Sequence, residues 1–105
     1  MAKKLAKLNE IQKYVAQWIE EVGERDWHKW NYFSRLVEEV GEVGEILSIR
    51  EGHKKHKKAK PERLEEEIGD ILFVLAALAN KLGIDLEKAF AECRKKLKRD
   101  FGDID

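Results

Sequence analysis

Acidic side chains recur in this chain at a spacing that could hold a hard cation. "EEVGE" at 38–42 and "EEIGD" at 66–70 set carboxylates at matching places in two segments of helical hydrophobic spacing. On a wheel of about 100° per residue with Glu38 at zero, Glu39 falls at about 100° and Glu42 at about 40°. With Glu66 at zero, Glu67 and Asp70 take the same two angles, about 100° and about 40°. Phe33, Leu36, Val40, Val43 and Leu47 centre near about 180° and form the expected core face. That puts Glu39 on the edge of the core, Glu42 one turn away, and Glu38 and Glu45 in solvent. The run "ILFVLAALA" at 71–79 is apolar on every face, which predicts a helix buried all round. Asp70 then points to a side flanked by Phe73, Val74 and Ala77.

Carboxylates gathered at an apolar edge do not stay charged and unpaired, because desolvating each one costs several kcal/mol. They can be protonated, paired with Lys or Arg, or bound to a cation. Magnesium takes oxygen ligands and keeps waters and phosphates in its shell, so two i,i+3 acid pairs facing each other from two helices suit it. The plain alternative is a solvated acidic face, which accounts for Glu38, Glu45, Glu65 and Glu66 better than for the repeated set. Gly41, Gly44 and Gly69 each cost a helix about 1 kcal/mol against alanine. On the wheel they share one flank, where they would admit close approach of another helix.

The elements that must position these acids are all helical. Helix one is expected over about Leu5 to Val22, with Leu8, Ile11, Val15, Trp18, Ile19 and Val22 on one stripe and Gly23 as its stop. Helix two is expected over Tyr32 to Arg50, with Asn31 as N-cap. A basic linker, "HKKHKKAK" at 53–60, leads to Pro61 at the first position of helix three, which continues to Leu82 and closes at Gly83. Asp85 caps helix four, which reaches Phe101. The fold class is all-α, a four-helix bundle formed by a single domain, 1–105.

Composition sets bounds on function. The 105 residues leave room for one core, and 21 basic against 21 acidic residues give no net attraction to nucleic acid or anionic membranes. One cysteine, Cys93, excludes an internal disulfide framework and a cysteine-rich zinc site, and is expected as a small core or interface residue. No stretch is long and apolar enough for a transmembrane helix, and no signal peptide follows the basic start, so the expected location is cytoplasmic.

The two acidic motifs in order, the apolar run and "LGIDLEKAF" at 82–90 resemble the MazG-like nucleotide pyrophosphohydrolases. These belong to the all-α NTP pyrophosphatase group that includes the dimeric dUTPases. The resemblance spans about Leu8 to Phe101. It implies a MazG-like bundle and hydrolysis of a nucleoside triphosphate, ribo or deoxyribo, to monophosphate and pyrophosphate, by water attack at the α-phosphorus. The implied cofactor is Mg2+, with Mn2+ as a substitute. The implied metal ligands are Glu39, Glu42, Glu67 and Asp70, and Glu38 is the candidate base, or a ligand of another metal. Aromatics before helix two and on helix one would contact the base, Trp27 first, then Trp18, with Trp30 nearby; ordinary core packing is the alternative for each. Lys81, Lys95 and Lys98 are the candidate phosphate contacts, with Arg99 beside them. The chain departs from the pattern on helix four, where Cys93 and Leu97 stand in place of a lysine and an asparagine. The family assembles as dimers or pairs of dimers, so homo-oligomerisation is expected to complete the bundle.

Three other readings compete. A di-iron carboxylate bundle needs Glu-x-x-His pairs, but His28, His53 and His56 lie outside the expected helix interiors. A catalytically degenerate nucleotide-binding or helical interaction module fits the helix-four departures. A nucleic-acid binder built on 53–60 lacks groove-reading residues on a helix.

Overall fold

A computed structural model describes residues 7–23, 27–52 and 63–102. It contains four helices: α1 (Leu8–Val22), α2 (Lys29–Arg50), α3 (Leu64–Lys81) and α4 (Leu86–Phe101). α3 is the central element. It packs most extensively on α2 and also on α1, and α4 packs on α1.

Local chemistry sets the helix ends. α1 stops where Gly23 takes φ +83°, a left-handed conformation cheap only for glycine, and donates to Ile19 O at 3.0 Å. α2 begins earlier than expected: His28 is the N-cap, and Asn31 sits inside the first turn. Its Oδ1 accepts from His28 N at 2.8 Å, so Asn31 reaches back to satisfy the cap position instead of forming it. Asp85 caps α4 as expected, accepting from Glu87 N at 2.9 Å. The expected start of helix one at Leu5, the linker at 53–60 and Pro61 lie outside the described residues.

The core lies between α1 and α3. Val15 and Ile19 of α1 meet Val74, Ala76 and Ala77 of α3, and Tyr32 of α2 closes one side. Alanines at the centre let the two helices approach closely. Burying Val15 and Ile19 stabilises the fold by roughly 1.5–3 kcal/mol each. A polar clamp ties the same helices together at the α3–α4 turn. Gln12, buried on α1, donates to Asn80 Oδ1 at 3.0 Å and Ile84 O at 2.8 Å, and accepts from Leu86 N at 2.9 Å.

Several expectations about faces are corrected. α2 turns Tyr32, Leu36, Glu39, Val43 and Ile46 inward, while Phe33, Val40 and Leu47 remain exposed. Its apolar arc is wide enough to make two faces, and α3 and α1 cover only one of them. Centring the wheel on the whole arc therefore misplaced the core by about half a face, and Glu39 lies in the middle of the buried side rather than on its edge. α3 is not buried all round, since Leu72 and Leu75 are 37% and 38% exposed. Gly41, Gly44 and Gly69 admit no close neighbour within the chain: a methyl group added at any of them would meet nothing within 4 Å. Cys93 is exposed, because α4 buries no residue in this chain.

Candidate active site

The inward side of α2 and the first turns of α3 bring carboxylates together. Glu39 and Glu67 are 2% and 6% exposed, and Asp70 opens to solvent one turn beyond Glu67. One oxygen from each lies within 4.8 Å of the others. Glu42 is exposed beside this group. Oε2 of Glu39 and Oε2 of Glu67 are buried and face no hydrogen-bond donor.

The electrostatics follow from that crowding. The Glu67 carboxyl titrates above its ordinary 4.5, first through the hydrogen bond it can share with Glu39, then through burial and the nearby charges of Glu39 and Asp70. With both groups ionised neither can donate, so each leaves an oxygen orphaned, and a proton on Glu67 would supply the missing donor. Glu42 is also raised, first by desolvation, then by its contact with Glu67. Positive charge comes from two arginines. Arg35 Nη2 lies 3.0 Å from Glu39 Oε1, and Arg63 Nη2 lies 3.9 Å from Glu67 Oε1.

Beside the carboxylates runs a cleft of about 420 Å³. Glu39, Asp70 and Arg35 form its polar side, and Trp18, Trp27, Tyr32, Phe73 and Val74 its apolar side. Trp18 stands edge-on to Phe73, with ring centroids 5.3 Å apart, and Trp27 tilts against Tyr32 at the same separation. Both indoles are 38% exposed, so each presents ring surface to the cleft as well as packing. Two carboxylates and a guanidinium on one side and aromatic faces on the other suit a ligand with a planar part and a polar part that carries or brings a cation.

The remaining sequence-derived candidates lie elsewhere. Trp30 is 67% exposed, packs on Phe33 and is not among the cleft residues. Glu38 faces solvent and pairs with Arg35 at 3.5 Å. Lys81 lines a neighbouring cleft of about 240 Å³ that shares Tyr32 with the first. Lys95 is exposed and paired with Glu92 at 3.4 Å, and Lys98 lies in the last turn of α4, which this chain packs against α1 and away from the carboxylates. The sequence reading passed over Arg35 and Arg63. The signal was present: the acidic repeat extends backwards to "RLVEEVGE" at 35–42 and "RLEEEIGD" at 63–70.

Comparison with known proteins fixes what kind of domain holds this site. Residues 28–100, from the N-cap of α2 to near the end of α4, match the MazG nucleotide pyrophosphohydrolase domain. The chain belongs to the MazG family. Its helices superpose on the crystal structure of a Bacillus-conserved MazG protein, a nucleotide pyrophosphohydrolase, with a TM-score of 0.75 and 30% identity over 90% of this chain and 93% of that one. They superpose equally well on YpjD from Bacillus subtilis, with a TM-score of 0.74 and 37% identity over 98% of this chain and all of YpjD. A local match to YpjD of Bacillus subtilis strain 168 reaches 69% identity over 26 residues, about a quarter of each chain, covering 23% of the relative's length. The MazG-type all-α fold expected from the motifs is therefore present, and its members are hydrolases. Among the described residues no helix is long and apolar enough to cross a membrane.

Proposed function

We propose that this MazG domain hydrolyses nucleoside triphosphates, ribo or deoxyribo, to the monophosphate and pyrophosphate in a magnesium-dependent reaction. The observation that carries the reading is the pair of buried glutamates, each with an oxygen lacking a donor, converging with Asp70 at the mouth of an indole-lined cleft. A divalent cation answers the same deficit and can engage Asp70 together with both glutamates. Glu39, Glu67 and Asp70 would hold it, with Glu42 alongside, and Mn2+ could replace Mg2+ on the same oxygen donors. When bound, the ion supplies positive charge that offsets the carboxylates and the phosphate oxygens.

The chain's own groups supply the rest. Trp27 and Trp18 take the base on the apolar side of the cleft. The triphosphate lies toward Asp70 and Glu39. A water oxygen attacks the α-phosphorus, the bond to the α,β-bridging oxygen breaks, and pyrophosphate leaves with that oxygen. Glu38, exposed next to Glu39 on α2, is the assigned acceptor of the water proton. Lys81, Lys95 and Lys98 stay assigned to the phosphates, the last two by way of a second copy of the chain.

We infer that the second copy covers the outer face of α2 and α3, in a homodimer or homotetramer. Val37, Val40 and Ile68 are each more than half exposed there, and the glycines leave space for a close partner. The Cα radius of gyration is 16.7 Å, where a compact domain of this length has about 13 Å. We take residues 1–105 as a single domain, with 53–60 as the linker between α2 and α3. The triphosphate pool it draws on is cytoplasmic.

The test is a panel of ribo- and deoxyribonucleoside triphosphates with magnesium or with chelator, the products separated by chromatography and Asp70→Ala as control. Monophosphate and pyrophosphate, lost with chelator and in the variant, are expected. Diphosphate and orthophosphate would exclude attack at the α-phosphorus. Nucleotide binding without turnover would return the degenerate binding module, with Cys93 and Leu97 as the first positions to restore.

A further inference from the structure

The carboxylate cluster is built from a repeat, and the repeat includes its counter-ions. "RLVEEVGE" and "RLEEEIGD" match in chemical type at every position except Val37 and Glu65. The structure gives both copies the same ion-pair pattern. Arg35 reaches Glu38 at 3.5 Å and Glu39 at 3.0 Å, its i+3 and i+4 neighbours. Arg63 reaches Glu66 at 3.4 Å and Glu67 at 3.9 Å, again i+3 and i+4. In each copy the arginine is about half exposed, the first glutamate is exposed and the second is buried. Each guanidinium thus engages one oxygen of a buried glutamate, while the other oxygen faces no donor.

A guanidinium and a divalent cation compete for the same carboxylate charge. Each arginine is half exposed while its glutamate is buried, so the pair is only partly screened, and a divalent cation on the same carboxylate supplies the charge the arginine gives up. The arginine can therefore exchange. The two copies differ in where the released arginine would stand: Arg35 lines the aromatic cleft beside Asp70, and Arg63 does not.

We propose that Arg35 and Arg63 are exchangeable counter-ions of the carboxylate cluster, each holding the buried glutamate of its own helix until a divalent cation takes it, and that Arg35 then turns to the substrate's triphosphate. The proposal rests on the metal-dependent reading above. A planar fork of donors on the cleft wall suits phosphate oxygens, and a charge released only on cation binding couples loading of the ion to capture of the anion.

Isothermal titration calorimetry separates the two roles. Mn2+ alone is titrated into the wild-type chain, Arg35→Gln, Arg63→Gln and Arg35→Lys, with circular dichroism confirming retained helix. Inorganic pyrophosphate is then titrated in saturating Mn2+. Arg35→Gln should bind Mn2+ about three- to tenfold more tightly, because a competing charge is gone, and pyrophosphate more weakly by a similar factor. Arg63→Gln should tighten Mn2+ and leave pyrophosphate unchanged, and Arg35→Lys should recover part of the pyrophosphate affinity. A loss of packing alone would not move the two affinities in opposite directions. Unchanged or weaker Mn2+ binding in Arg35→Gln overturns the exchange and leaves the metal reading standing. Pyrophosphate binding unaffected in Arg35→Gln, or weakened as much in Arg63→Gln, overturns the role given to Arg35. Failure of the wild type to bind Mn2+ removes both the metal reading and the exchange.

Discussion

Glu67→Gln should make the metal-free protein more stable while destroying its activity. Oxygens of Glu39 and Glu67 lie no more than 4.8 Å apart, and both side chains are buried. Two unit charges at that separation repel by about 3.5 kcal/mol at an effective dielectric of about 20. Arg35 and Arg63, each half exposed, offset part of this, at up to about 1 kcal/mol for a pair of that kind. Glutamine keeps the shape, removes one charge and offers the donor that Glu39 Oε2 lacks. The expected gain is about 1–3 kcal/mol, a rise in Tm of roughly 5–15 °C for a domain of this size. It is measured by thermal unfolding in chelator, and magnesium should then stabilise the wild type and not the variant. The pH dependence carries a sign of its own. Glu67 titrates above 4.5 in the folded state, so the folded state holds that proton more tightly than the unfolded chain does. The resulting stability is fully present below the ordinary value of 4.5 and is lost as pH rises through the raised value. The wild type should therefore close the gap to Glu67→Gln on acidification, and the gap should be widest at neutral pH. A variant less stable than the wild type in chelator at neutral pH would refute the reasoning, because it would mean that the buried pair is not in electrostatic conflict.

Other perturbations test other parts of the account. Gln12→Ala leaves Asn80 Oδ1, Ile84 O and Leu86 N without their partner; each orphaned group costs roughly 1–3 kcal/mol, so Tm should fall by at least about 10 °C while turnover at low temperature is retained. Trp27→Ala should raise KM with little change in kcat, since an indole that stacks on the base in ground and transition states alike contributes uniform binding, roughly 1–3 kcal/mol, or fivefold and more; an unchanged KM would leave Trp27 a packing residue against Tyr32. Leu72→Asp places a charge on the exposed face of α3 and should shift sedimentation toward the monomer, whereas an unchanged sedimentation coefficient would remove that face from the interface.

The sequence by itself determined a good deal. Period and punctuation are local properties, so four helices, the stop at Gly23 and the cap at Asp85 followed directly from residue order. The repeated acid spacing was equally local. Equal spacing puts the two acids of each motif one turn apart on one side of their own helix, which is why Glu39, Glu42, Glu67 and Asp70 could be singled out before any packing was known; of these the structure brings Glu39, Glu67 and Asp70 within 4.8 Å and leaves Glu42 exposed beside them. The family resemblance rested on the same residues, and the match over 28–100 bears it out.

Only the tertiary structure decided which apolar surface is the core. A wheel gives the width of an apolar arc but not what covers it. On α2 the arc serves two faces, one closed by α3 and the other, with Phe33, Val40 and Leu47, left open. The partners of the acids were hidden for a related reason. Arg35 and Arg63 are unremarkable on a charged surface, and they acquire meaning only once burial singles out Glu39 and Glu67 among many similar glutamates. The placement of α4 against α1, which carries Lys95 and Lys98 away from the carboxylates within one chain, depends on how non-adjacent helices dock. That docking is a sum of small contacts spread across distant positions, and no single stretch of sequence records it.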